Sequence, residues 1–128
     1  MNVRVGSEGE LIEALREGLP ASAFLALQQR LGMAATTLAR ALGIPPRTLT
    51  RRLKESCFSP EESERLLRLA RVLDAAELLF AERDDIRHYL TQAVPGFGGQ
   101  TPLDLLDTEV GTQRVIKQLM RLADGIIV

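Results

Sequence analysis

Aromatic side chains make up only 4% of this chain, with no tryptophan and one tyrosine, so any core must be built mainly from Leu, Ala, Val and Ile. With 45% hydrophobic residues the sequence still specifies a folded protein, and a core of that kind favours packed helices over a sheet. The single cysteine, Cys57, excludes an internal disulfide and a cysteine-based zinc cluster. The single histidine, His88, excludes a His-rich metal set and reads as a helix-surface or partly packed residue. No apolar run approaches a membrane span, which predicts no membrane partner. Residues 1–17 carry four glutamates and no apolar run of signal length, so the expected location is the cytoplasm.

An excess of one charge is also missing overall, since the net is −1, but the halves differ. Residues 1–58 hold eight Arg/Lys and five Asp/Glu, a net of +3, and residues 59–128 hold eight and twelve, a net of −4. Within residues 35–58 the balance is five basic to one acidic. The split predicts a polyanion as partner of the first half and a different partner for the second. A chain of 128 residues suits one compact domain or a head with a small second lobe. The division expected here is 1–58 and 59–128.

Helix signals recur along the whole length, with no strand-period pattern and no internal repeat. Ser7 with Glu10 opens a helix to about Glu17, closed by Gly18. Residues 20–31 give an apolar helix with Phe24, Leu25, Leu27 and Leu31, ended by Gly32. Residues 35–42 give a third, with Leu38, Ala39 and Leu42 inward. Ser59-Pro60-Glu61-Glu62 is the clearest helix start, and that helix is expected to reach about Phe80 with Leu66, Leu69, Leu73, Ala76 and Phe80 on one face. A short helix at about 83–92 precedes a Gly/Pro loop at 93–100, a Thr101–Asp104 cap, and a last helix at 109–123 with Val115, Leu119 and Leu122 inward. The expected fold class is therefore all-α.

Residues 38–54, LARALGIPPRTLTRRLK, outline a helix-turn-helix. Gly43 supplies the positive φ of the tight turn, and Pro45 and Pro46 suit a helix start, whose first N–H groups have no partner to lose. In the second helix Leu49 and Leu53 face the core, while Arg47, Thr50, Arg51 and Lys54 recur at i, i+3, i+4 and i+7 on the opposite face. Such a face fits a major groove, with Arg47, Thr48, Thr50 and Arg51 near base edges, and Arg40 and Arg52 on flanks suited to phosphates. Arg52 stands where helix-turn-helix patterns usually place an apolar residue, so Leu53 has to take over that packing. One copy has a small footprint, so binding two half-sites predicts a homodimer.

The order RTLTRRLKE, SPEESERLLRLARVLDAAELLF, GFGGQTPLDLLDTEVGTQRV and a last helix ending ADG resembles the Xre/MbcA/ParS family of antitoxins, over about residues 35–128. The resemblance implies an all-helical protein with a DNA-binding head and a C-terminal domain that binds a RES-domain toxin. Such toxins consume NAD or transfer ADP-ribose, and the antitoxins occlude the toxin's active site and repress their own operon. Operator DNA and a cognate RES-domain toxin are thus the implied partners, with no cofactor. On this chain the terminal segment Asp124, Gly125, Ile126, Ile127 and Val128 would lie closest to the toxin's pocket. The last three are apolar and follow a helix-stopping glycine, as partner-contacting segments often do; burial against the chain's own core is the other option. Arg114, Lys117 and Arg121 form a basic face on the last helix, suited to an acidic toxin surface or simply to solvent.

Nothing in the sequence assembles a catalytic set, so no enzyme is expected. GFGG at 96–99 lacks the Gly-Lys-Ser/Thr of a phosphate cradle and reads as a turn. Glu61, Glu62 and Glu64 are accounted for by a helix N-terminus and its dipole. The competing reading is a stand-alone helix-turn-helix regulator whose C-terminal half senses a ligand or dimerises.

Overall fold

The computed structural model describes residues 7–125. Among them the chain is all-helical: α1 (Glu8–Glu17), α2 (Ala21–Leu31), α3 (Ala35–Ala41), α4 (Pro46–Glu55), α5 (Pro60–Ala76), α6 (Arg83–Thr91), a 3-10 turn (Asp104–Asp107) and α7 (Glu109–Ala123). The one β-type pairing among the described residues is an isolated bridge between Pro20 and Cys57. The chain divides into two compact units, Met1–Leu67 and Arg68–Val128, and α5 begins in the first and ends in the second.

In the first unit α1 is capped by Ser7, whose Oγ accepts from the Glu10 backbone N–H at 3.2 Å. No α1 side chain is fully buried, so α2 supplies the core instead, through Ala23, Phe24, Ala26, Leu27 and Leu31. Leu25 sits on the outward side of α2 and is 47% exposed. Phe24 packs tilted against Phe58 with ring centres 5.8 Å apart. The chain around them is tied by Phe58 N–H to the Leu19 carbonyl oxygen at 2.9 Å and by Leu19 N–H to a buried Ser63 Oγ at 2.8 Å. Each fully buried Leu or Phe in this set contributes about 1.5–3 kcal/mol.

The start of α5 is a complete capping box. Glu62 N–H donates to Ser59 Oγ at 3.2 Å, and Ser59 N–H donates back to Glu62 Oε1 at 2.8 Å. Leu66, Leu69, Val72, Leu73 and Ala76 are buried along its inner face. The helix ends at Ala76, short of the expected Phe80. Its last turn tightens, with Leu78 N–H bonded to Ala75 O and Leu79 N–H to Ala76 O, and Phe80 is turned onto Tyr89 at 5.6 Å between ring centres.

In the second unit α6 contributes Ile86 and Leu90, and α7 contributes Val115 and Leu119. Leu122, expected inward, is 37% exposed, because the buried face of α7 closes at Leu119. Thr101 and Asp104 cap each other at 3.1 Å in both directions, but the element they open is the 3-10 turn. That turn packs on α7 through Gly111: a Cβ there would overlap the Leu105 carbonyl oxygen. Glycine at 111 is therefore demanded by close approach, in a helix that otherwise disfavours it.

Candidate DNA-reading and partner-binding faces

In the first unit, α3 and α4 pack on each other and both pack on α2. The Ala39 carbonyl oxygen accepts from Leu42 N–H at 3.1 Å and from Ile44 N–H at 2.8 Å, which closes the turn. Gly43 sits in it at φ 74°, where a side chain would strain the backbone. Its carbonyl oxygen accepts from Arg65 Nη1 at 3.4 Å. Pro45 is extended and Pro46 opens α4. Leu38, Ala39, Leu42, Ile44 and Leu49 are all buried beneath this turn.

That packing leaves the opposite side of α4 in solvent. Arg40, Arg47, Thr50, Arg51 and Lys54 are exposed, and Thr48 is half-buried. The Thr50 hydroxyl donates back to the Pro46 carbonyl oxygen at 3.1 Å, leaving it able to accept. Arg40, Arg47, Arg51 and Lys54 take part in no ion pair with a described residue. Arg52 differs. Its Nε lies 2.8 Å from Glu62 Oε1, its Nη2 bonds Glu62 Oε2 at 3.4 Å, and its Nη1 lies 3.3 Å from Glu55. Burial pushes the Glu62 carboxyl upward, but the bonds from Arg52 and Ser59 outweigh it and hold the group below its usual range. Arg52 thus occupies the expected apolar position as an ion pair folded onto α5. Leu53, expected to pack in its place, is half-buried. The second role of Glu62 was hidden in the sequence, because its capping role already accounted for it.

In the second unit Arg114, Lys117 and Arg121 are all exposed on one side of α7, as their spacing requires. They line a groove of about 500 Å³ whose other wall is Pro95, Gly96 and Phe97. Arg114 builds the junction: its Nη2 donates to the Gly96 carbonyl oxygen, and its guanidinium lies 5.6 Å from the Phe97 ring centre. Phe97 is itself buried and pins the glycine loop. Gln118, between the cations, accepts from the Tyr89 hydroxyl, and burial pushes that hydroxyl up to about 12. The sequence reading missed Phe97 and Gln118 as groove residues; an aromatic inside a glycine loop was the available signal. Asp124 and Gly125 are exposed at the end of α7, and Ile126, Ile127 and Val128 lie outside the described residues.

The start of α7 is fastened by charge. Glu109 accepts from Arg71 at 2.8 and 3.0 Å and from Gln113 at 2.8 Å, and these bonds hold its carboxyl down at about 2. His88 is exposed on α6, and no group of three or more potential metal-ligating His, Cys, Asp or Glu side chains forms among the described residues. No helix among them is long and apolar enough to cross a membrane.

Residues 10–71 match the family model of the antitoxin Xre-like helix-turn-helix domain, and residues 75–125 match that of the antitoxin Xre/MbcA/ParS C-terminal toxin-binding domain. The first match takes in most of α1 and all of α2, which the resemblance read from the sequence did not reach. Antitoxin Xre of Yersinia enterocolitica is 33% identical over 118 residues, covering 91% of this chain and 80% of that protein. Antitoxin Xre of Pseudomonas putida is 31% identical over 122 residues, covering 94% and 76%. A chain in the crystal structure of the M. tuberculosis MbcT-MbcA toxin-antitoxin complex shares the fold, with a TM-score of 0.67 and 24% identity over 84% of this chain and 96% of that one. With its helix-turn-helix and the C-terminal domain of that group both in place, the chain belongs to the Xre/MbcA/ParS family of antitoxins.

Proposed function

We propose that this antitoxin neutralises a RES-domain toxin, one that consumes NAD or transfers ADP-ribose, and represses its own operon by binding operator DNA. The observation that carries the reading is the match to antitoxin Xre along nearly the whole chain, with a helix-turn-helix family match followed by a toxin-binding one. Residues 1–58 read DNA and residues 59–128 hold the toxin. The exposed cations of α4 that make no ion pair with a described residue support the first assignment. Arg47, Thr48, Thr50 and Arg51 meet base edges, and Arg40 and Lys54 meet phosphates. A homodimer places two such helices on successive half-sites.

For the toxin, the reading uses Arg114, Lys117 and Arg121 as a basic contact. The segment Asp124, Gly125, Ile126, Ile127 and Val128 enters the active-site pocket and excludes substrate. Burying three apolar side chains in a pocket supplies affinity without any chemistry by the antitoxin. The chain therefore acts by occupancy. The direct test is co-purification with the product of the neighbouring gene, alongside retention of DNA from the shared promoter. A stable complex and promoter retention support the reading. A harmless neighbour that forms no complex favours a stand-alone regulator instead.

A further inference from the structure

The cations of this chain fall into two groups. One group is neutralised within the fold: Arg52 by Glu62 and Glu55, Arg71 by Glu109, and Arg87 by Asp84. The other is left open, and most of its described members lie either around α4 or in the α7 column. In that column Arg114 is spent on Gly96 and Phe97, whereas Lys117 and Arg121 make no hydrogen bond or ion pair with any described residue. They stand one turn apart, and like charges at that spacing repel. They face a groove of about 500 Å³, not open solvent alone. The α4 cations have DNA to meet. The α7 column lies in a half of the chain with eight basic and twelve acidic residues, a net of −4, which opposes a polyanion as large as DNA. A segment with a few carboxylates carries far less charge and meets less of that repulsion. Apolar surface borders the column as well, since Val110 is 81% and Met120 44% exposed on the same helix. Cations beside apolar surface suit a peptide bearing acidic and apolar residues together.

We propose that the groove between residues 95–97 and α7 seats an acidic segment of the toxin, with Lys117 and Arg121 pairing its carboxylates. This deepens the toxin-binding reading and rests on it. It gives the basic contact of α7 a second wall at residues 95–97 and a defined occupant, distinct from whatever the terminal segment meets. The test measures affinity of the purified toxin for the full chain and for K117Q/R121Q and K117E/R121E, at low and at physiological salt. The glutamine pair should bind about tenfold more weakly at low salt and show a flatter salt dependence, and the glutamate pair should bind more weakly still. K117R/R121K, which keeps both charges, should retain affinity, and thermal melts should coincide because both side chains are exposed. Unchanged affinity and salt dependence in K117Q/R121Q would overturn the groove contact and leave the toxin partnership standing. Failure of the wild-type chain to bind any toxin overturns both. Loss of DNA retention with toxin affinity intact reassigns the column to nucleic acid and overturns the proposal.

Discussion

Two neighbouring arginines on one helix do different work. Arg51 is exposed and makes no ion pair with a described residue, so its removal should cost phosphate or base contact directly. Arg52 is folded onto Glu62 at 2.8 Å, so its removal should loosen the seating of α4 on α5. Operator affinity measured against salt separates them. Arg51→Ala should weaken binding and reduce the slope of log K on log salt by about one ion released. Arg52→Ala should weaken binding with the slope unchanged and lower thermal stability, and Glu62→Gln should lower it in the same way. Equal slopes and equal stability in the two variants would contradict the division. Gly111 gives a second prediction at this scale. Gly111→Ala should destabilise the chain by about 1–3 kcal/mol, since its Cβ meets the Leu105 carbonyl oxygen, although alanine is the better helix former. Denaturant unfolding checks it. The exposed face of α4 was legible in the sequence because a 3.6-residue period fixes which side a residue takes. The fate of Arg52 was not, because it depends on an acid ten residues away that is brought back by the fold.

At the scale of elements, caps and charged fastenings set where helices begin. Ser59→Ala removes one half of the α5 capping box and should cost about 1 kcal/mol, read as a lower unfolding midpoint. The Arg71–Glu109 pair fixes the start of α7, and its pH dependence has a definite sign. Glu109 sits at about 2 in the folded chain against an ordinary value of 4.5, so its contribution is fully present above pH 4.5 and is lost as the pH falls through about 2. The pair is half-exposed, so the effect is about 1 kcal/mol or less. Glu109→Gln should flatten acid unfolding in that window, and an unchanged profile would show the pair to be idle. Helix starts were the most legible elements, with Ser7, Ser59 and the segment 109–123 falling where local chemistry put them. Helix ends were less so. Phe80 was expected on α5 by its period, but it leaves the helix to stack on Tyr89, a contact no local pattern encodes. Leu122 was placed inward with Val115 and Leu119 by its spacing, and the fold leaves it 37% exposed.

For the whole molecule, the charge split between the halves pointed to two partners, and the family to which the chain belongs joins a helix-turn-helix to a toxin-binding domain. The α7 groove was only half legible. Its basic column followed from spacing, whereas its second wall depends on how Phe97 and Arg114 fold the glycine loop against the helix. The two activities should separate. Removing Ile126, Ile127 and Val128 should weaken neutralisation and leave operator binding intact, whereas Arg51→Ala should do the reverse. The most direct test of neutralisation is to co-express the chain with the product of its neighbouring gene, with and without residues 124–128, and to follow cellular NAD and growth. The neighbour alone should lower NAD or halt growth, the full chain should restore both through a co-purifying complex, and the shortened chain should restore them poorly. Full restoration by the shortened chain, or a neighbour that neither lowers NAD nor slows growth, would contradict this reading.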